Sequence, residues 1–331
     1  MDDTSFLLEQ IKKKASIVDD FIFKNLGGVH QTLNEASAHL IKAGGKRLRP
    51  YLAITSYQIF DSDITKILPF ASALEVLHTF TLIHDDIMDN DDLRRGLPTV
   101  HRVWGLSMAI LAGDYLFAKV FQLASNANVD PKISVRAIKE ISETSVIICD
   151  GQAYDLSFEE REIVSADEYF DMISKKTAAL FRASTRLGGI IADADEEHIK
   201  NLGEFGFKIG VAFQIIDDII GLVGEEKVTG KPRGSDVREG KKTLPILYAL
   251  NNLSSSELEF LKKMLKPGVE KSKDDIEKAV NLIEKAGGIE FSRNYARKIY
   301  NEAIEALKKL PKNDAREELL KFSIVLVERN F

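Results

Sequence analysis

The sequence predicts an all-α protein, a single domain spanning residues 1–331. Three observations predict it. Apolar residues recur at spacings of three and four in 133–148, 166–187, 276–286 and 303–310, the repeat of a helix that buries one face. No run alternates apolar and polar residues as a half-buried strand does, and no Asn-Gly pair marks a hairpin. Pro50, Pro69, Pro131, Pro245 and Pro311 fall at segment boundaries, where a helix tolerates the missing N–H.

Taken along the chain, the pattern gives about ten to thirteen helices of ordinary length. The segment 71–90, "ASALEVLHTFTLIHDDIMDN", is apolar on nearly every face and ends in Asp85, Asp86 and Asp89. "SADE" at 165–168 has a capping-box spacing, with Ser165 as the cap and Glu168 reaching back. The segment 205–222, "FGFKIGVAFQIIDDIIGL", repeats the theme of an apolar helix carrying aspartates, here Asp217 and Asp218. It is followed by 224–242, "GEEKVTGKPRGSDVREGKK", a long polar connection with four glycines. Such a connection inside a compact domain is functional or disordered. Helical pattern resumes at Pro245, so no domain boundary is placed there.

Of the 331 residues, 44% are hydrophobic and 29% charged, the balance of a globular protein. A net charge of -6 argues against nucleic-acid binding by bulk charge. The single cysteine, Cys149, excludes an internal disulfide and a Cys-rich zinc site; it reads as a small buried apolar residue. Met1 to Gln10 lacks a basic segment followed by an apolar run. No stretch approaches the roughly 18 uninterrupted apolar residues of a membrane span. The expected location is the cytoplasm.

Carboxylates on an apolar helix are costly to bury and repel one another, so something positive must compensate. Mg²⁺ takes oxygen ligands and uses one or two carboxylates plus phosphates and waters. Asp85 and Asp89 lie four apart, on one helix face, and Asp86 points about 100° away, in a supporting position. Asp217 offers a further ligand from the second helix, with Asp218 beside it. One acidic cluster of this kind reads as a helix cap or a solvated patch. Two, each ending a strongly apolar helix, point to metal.

Cations accompany both motifs. "GGKRLRP" at 44–50 places Lys46, Arg47 and Arg49 beside Gly45 at the head of a helix, a natural anion site. Arg94 and Arg95 follow the first motif, and Lys231, Lys241 and Lys242 lie in the polar connection. Acidic and basic clusters together suggest two diphosphates.

With "GGKRLRP", "LIHDDIMDNDDLRRG" at 82–96, "GQAYDL" at 151–156, "KTAAL" at 176–180, "FQIIDD" at 213–218 and "GKPRGSDVREGKKTLP" at 230–245, the sequence resembles the trans-type isoprenyl diphosphate synthases. The resemblance implies an isoprenoid-synthase-type helical bundle around a central cavity, usually a homodimer. It implies a trans-prenyltransferase joining isopentenyl diphosphate to an allylic diphosphate, with release of diphosphate. Gly45, Lys46, Arg49, His78 and Arg95 would hold isopentenyl diphosphate. Asp85 and Asp89 would bind two Mg²⁺ and Asp217 a third, supported by Asp86 and Asp218. Arg94, Lys176, Thr177, Gln214, Lys231 and Lys241 would contact the allylic diphosphate. His78 also stands two turns before Asp85 on the same face, whereas His84 reads as structural. The family's second motif has an aspartate where this chain has Gly221.

Product length in such enzymes follows from what lies below the first motif. Phe80, five residues before Asp85, with Thr81 next to it, resembles the archaeal C20 pattern, geranylgeranyl diphosphate. Farnesyl or longer products are the alternative. On an ideal helix Thr81 lies about 40° and Phe80 about 140° from Asp85, so Thr81 and Leu77 also count. A class I terpene cyclase would not need "GGKRLRP", and a non-catalytic helical subunit would not need both metal motifs.

Overall fold

The computed structural model describes residues 3–28, 30–224, 233–266 and 268–327. Its elements are almost wholly helical, as expected. They are α1 (Asp3–Leu26), α2 (Gln31–Lys42), α3 (Leu48–Tyr57), α4 (Leu68–Met88), α5 (Val100–Trp104), α6 (Leu106–Ser125), α7 (Pro131–Glu160), α8 (Ala166–Ile173), α9 (Ala179–Ile191) and α10 (Glu196–Val223). Then come α11 (Ser235–Glu239), α12 (Leu244–Leu250), α13 (Ser255–Met264), α14 (Lys273–Lys285), α15 (Gly288–Lys308) and α16 (Asp314–Val327). The helices exceed the expected number because short ones, such as the five-residue α5 and α11, carry too few residues to show a period. Two-residue strands β1 (Leu93–Arg94) and β2 (Leu97–Pro98) pair antiparallel. Between α8 and α9, Ser174–Ala178 forms a π turn.

The chain divides into two compact units. The first comprises Met1–Ser145, Arg182–Gly203 and Leu307–Phe322. Within it α4 packs on α1, α2, α3, α5 and α6. Its apolar run starts behind Pro69 and is buried on nearly every face, with Phe70, Leu74, Val76 and Leu77 at 0% exposure. Each such large side chain contributes roughly 1.5–3 kcal/mol through its burial. Gly113 lets α6 approach α4 closely: a Cβ there would stand 2.1 Å from the His84 ring. Lys14 is buried in the same unit, donating to Thr55 at 2.8 Å and to Glu318 at 2.6 Å.

The second unit comprises Val146–Phe181, Glu204–Ala306 and Ser323–Phe331. Its core gathers Leu222, Val237, Ile246, Leu261, Met264 and Ile283 from α10 to α14. The capping box at Ser165 and Glu168 forms as the spacing predicts. Arg161 and Ser165 hold the Glu168 carboxyl down at about 2.

Two expectations are corrected. Cys149 is exposed; its neighbour Ile148 faces the core, which turns Cys149 about 100° away. The polar connection is not loop throughout, because Ser235–Glu239 is helical and seats Val237 at 0% exposure. By length and composition one helix among the described residues, α6, is apolar enough to cross a membrane, which the run-length criterion did not detect.

Candidate active site

The first unit carries the first acidic motif near the end of α4. Asp85 is half-buried, Asp86 buried and Asp89 exposed. Asp86 accepts from Arg94 Nε at 2.7 Å, and Arg94 also reaches Asp91 at 3.0 Å. Asp86 therefore holds Arg94. Arg94 belongs to the β1–β2 hairpin, whose turn residues Arg95 and Gly96 have φ of 56° and 76°. Positive φ at both central residues is the type I′ pattern that closes two-residue hairpins. The turn directs Arg95 back to the Leu40 carbonyl at 3.1 Å.

The cation run at 44–50 divides. Lys46 is exposed and Arg49 half-buried, at the start of α3. Arg47, grouped with them as an anion-binding cation, instead runs inward and is 2% exposed. It donates to Asp19 at 2.7 Å, to Glu75 at 3.0 Å and to the Ile41 carbonyl at 2.7 Å. It takes a left-handed φ of 48° at the head of α3. Gly45 makes room for this: a Cβ there would stand 2.8 Å from Arg47 Nη1 and 2.9 Å from Arg95 Nη1. His78 feels the whole group. Burial, then Arg49, Arg95, Arg94 and Arg47, hold its imidazole well below the usual value.

One turn before His84, Phe80 begins an aromatic column. Its ring is 4.7 Å from His84 and 5.0 Å from Phe117, which lies 5.2 Å from Phe121. Leu77 is fully buried, and the Thr81 hydroxyl donates to the His78 carbonyl at 2.8 Å.

The second unit carries the second acidic motif on α10. Asp217 is exposed and Asp218 buried. The two oxygens of Asp218 accept from Tyr169 Oη at 2.5 Å and from Gln214 Nε2 at 2.8 Å. Gln214 in turn accepts from Thr177 Oγ1 at 2.7 Å. Burial, then Asp236, push the Asp218 carboxyl well up. Lys176 Nζ contacts Asp155 at 2.5 Å. Lys241 Nζ pairs with Glu239 at 2.7 Å, while its backbone N–H donates to the Asp236 carbonyl at 2.9 Å. Burial opposes the charge on Lys241, but Glu239, Asp236 and Asp155 outweigh it and raise the amine. Lys242 is buried and donates to the Phe158 carbonyl at 2.7 Å, tying down the end of α7. Lys231 lies outside the described residues.

Sequence reasoning gave no role to Asp155, Tyr169, Asp236 or Phe117. Asp155 stood inside "GQAYDL" and Asp236 inside "GSDV", where acidic residues among cations were the available signal. Nothing distinguished Tyr169 from other core aromatics.

Among the described residues, no three His, Cys, Asp or Glu side chains form a closed metal cage. In the first unit Asp85 is half-buried and Asp89 exposed, and in the second Asp217 is exposed; each offers carboxylate oxygens of the kind Mg²⁺ takes, an ion that completes its shell with water and phosphate.

Two apolar helices thus carry aspartates, α4 in the first unit and α10 in the second, and each unit also carries cations. The family model for polyprenyl synthetase matches residues 30–283, and the chain belongs to that family. It is 43% identical over 325 residues to a geranylgeranyl diphosphate synthase of Saccharolobus solfataricus, covering 97% of this chain and 96% of that one. It is 40% identical to a geranylfarnesyl diphosphate synthase of Aeropyrum pernix, covering 95% and 99%. The crystal structure of a geranylgeranyl pyrophosphate synthetase from Pyrococcus horikoshii matches with a TM-score of 0.93 at 42% identity, covering 99% and 100%. The chain is thus a trans-prenyltransferase with the all-α fold of polyprenyl synthases.

Proposed function

We propose that this prenyltransferase makes geranylgeranyl diphosphate, extending an allylic diphosphate with isopentenyl diphosphate up to C20. The observation that carries the reading is Phe80, one turn below the first acidic motif and backed by Phe117 at 5.0 Å. The relatives named for geranylgeranyl diphosphate support it. The geranylfarnesyl relative makes C25 the second reading.

Residues 1–331 act in this reading as one catalytic domain. Asp85 and Asp89 would hold two Mg²⁺ and Asp217 a third, and the metal would supply positive charge where the leaving diphosphate develops its negative charge. Arg94, Lys176, Thr177, Gln214, Lys231 and Lys241 orient the allylic diphosphate. Asp86 fixes Arg94, and Asp218 fixes Gln214. Gly45, Lys46, Arg49, Arg95 and His78 hold isopentenyl diphosphate. The allylic C–O bond breaks, and the isopentenyl double bond attacks the allylic carbon. The released diphosphate takes the proton that leaves, so no tuned side-chain base is required.

The enzyme works in the cytoplasm as a homodimer. Its support is α6, apolar enough to span a membrane but only 33% buried along that window, with Leu106, Ile110 and Leu111 exposed. A second copy covers this face. Sedimentation velocity returning a monomer at micromolar concentration would remove the dimer.

The test of function is an assay of purified protein with Mg²⁺, farnesyl diphosphate and labelled isopentenyl diphosphate, with products identified by mass spectrometry. C20 is expected, and chelator should abolish it. No extended product, or turnover indifferent to chelator, overturns the reading.

A further inference from the structure

The π turn at Ser174–Ala178 is wedged between two glycines on neighbouring helices. A Cβ on Gly151 of α7 would stand 2.3 Å from the backbone nitrogen of Lys176 and 2.7 Å from its Cα. A Cβ on Gly210 of α10 would stand 2.7 Å from the Cα of Ala178. These are backbone atoms, which cannot swing aside as a side-chain tip can. A π turn carries an extra residue and is a wider piece of helix than an α turn. Here the added width fits because both flanking helices lack a side chain at the point of contact.

Each glycine is followed, one turn later on the same face, by the residue that receives a side chain of the π turn. Four residues after Gly151 stands Asp155, which takes Lys176 Nζ at 2.5 Å. Four residues after Gly210 stands Gln214, which takes the Thr177 hydroxyl at 2.7 Å. Gln214 continues to Asp218 at 2.8 Å. The adjacent Lys175 is sorted elsewhere, to Asp171 at 2.7 Å and over the Tyr154 ring at 4.4 Å.

We propose that Gly151 and Gly210 are positioning residues: they seat the π turn so that Asp155 and Gln214 hold Lys176 and Thr177 in place for the allylic diphosphate. The proposal rests on the reading that Lys176 and Thr177 contact that diphosphate. A glycine that served packing alone would affect stability and both substrates alike. A seat for the π turn acts on one substrate.

The test is steady-state kinetics on Gly151→Ala and Gly210→Ala, varying each substrate in turn. The KM for the allylic diphosphate should rise at least about tenfold, while the KM for isopentenyl diphosphate stays within about twofold. Equal rises in both, or an unchanged allylic KM, overturn the proposal. Because Gly151→Ala is crowded, it is also made with Lys175 deleted, which narrows the π turn to an α turn. That variant should recover the melting temperature of the wild type but not its allylic KM. Recovery of both overturns the proposal. Lys176→Ala separates the two levels. An unchanged allylic KM in Lys176→Ala overturns the reading of Lys176. A raised one there, with an unchanged one in Gly151→Ala, overturns the seat.

Discussion

The carboxylate of Asp236 fills the space in front of Gly221: a Cβ on Gly221 would stand 2.6 Å from Asp236 Oδ1 and 2.9 Å from its carboxyl carbon. The missing aspartate of the second acidic motif is therefore not a simple loss. A carboxylate from α11 already occupies the room that a side chain at 221 would need, in a region where Asp218 is pushed up by burial and by Asp236 itself.

Restoring the family's aspartate should consequently harm the protein. Gly221→Asp adds atoms to a filled site, at a cost of about 1–3 kcal/mol for the overpacking alone, and adds a third carboxylate beside Asp218 and Asp236. Its melting temperature and kcat/KM should both fall. The exchange variant, Gly221→Asp with Asp236→Gly, frees the space and should regain most of the lost melting temperature. A Gly221→Asp protein as stable as the wild type would show that the two positions do not compete.

Arg47 should behave as a structural cation, unlike its neighbours. It is buried with Glu75 and pairs with Asp19 on α1. Removing one partner of a buried ion pair leaves a charge without its partner and costs about 3–5 kcal/mol. Arg47→Met should therefore lower the urea midpoint sharply. Arg49→Met should leave it nearly unchanged and raise the KM for isopentenyl diphosphate. The reverse pattern would exchange the roles of the two arginines.

The depressed imidazole of His78 predicts a pH dependence. In the unfolded chain a histidine protonates near pH 6.5. Burial first, then the surrounding arginines, resist that proton in the folded state. Between the folded pKa and about 6.5 the unfolded state binds the extra proton, so stability rises with pH there and is full above it. His78→Gln removes this term. Urea midpoints of the two proteins should diverge as pH falls from about 7 to about 5, with the wild type losing more. Parallel curves would mean that His78 titrates normally.

What was legible in the sequence, and what was not, follows from how each feature is encoded. Helices such as α4 and α10 announce themselves by long apolar runs that carry aspartates. The β1–β2 hairpin does not, because two-residue strands have no alternation to detect; only Arg95-Gly96, with its turn glycine, hinted at it. The π turn inserts its residue without disturbing the apolar spacing of 166–187, so it reads as uninterrupted helix. Arg47 and Arg49 are alike in a run of cations, and only the buried Glu75 and Asp19 tell them apart. The importance of Gly221 depends on Asp236, fifteen residues away, and pairings at that range are not written in local pattern.

Product length should be set by a column of rings and not by Phe80 alone. Phe80 lies nearest the first acidic motif, Phe117 backs it at 5.0 Å, and Phe121 follows at 5.2 Å. A chain growing toward Phe80 meets Phe117 only once the first ring is gone. Phe80→Ala should therefore shift the product beyond C20. Phe117→Ala alone should keep C20, since the first barrier stands. The double variant should extend further than Phe80→Ala. Truncating a buried Phe costs about 3–5 kcal/mol; both rings here are only half-buried, which reduces the cost, and Phe→Leu at each site provides a gentler control. Mass spectrometry of the dephosphorylated prenols reads the outcome. If Phe117→Ala lengthens products by itself, the growing chain passes beside Phe80. If Phe80→Ala still ends at C20, the floor lies elsewhere, and the fully buried Leu77 and the neighbouring Thr81 become the next positions to vary.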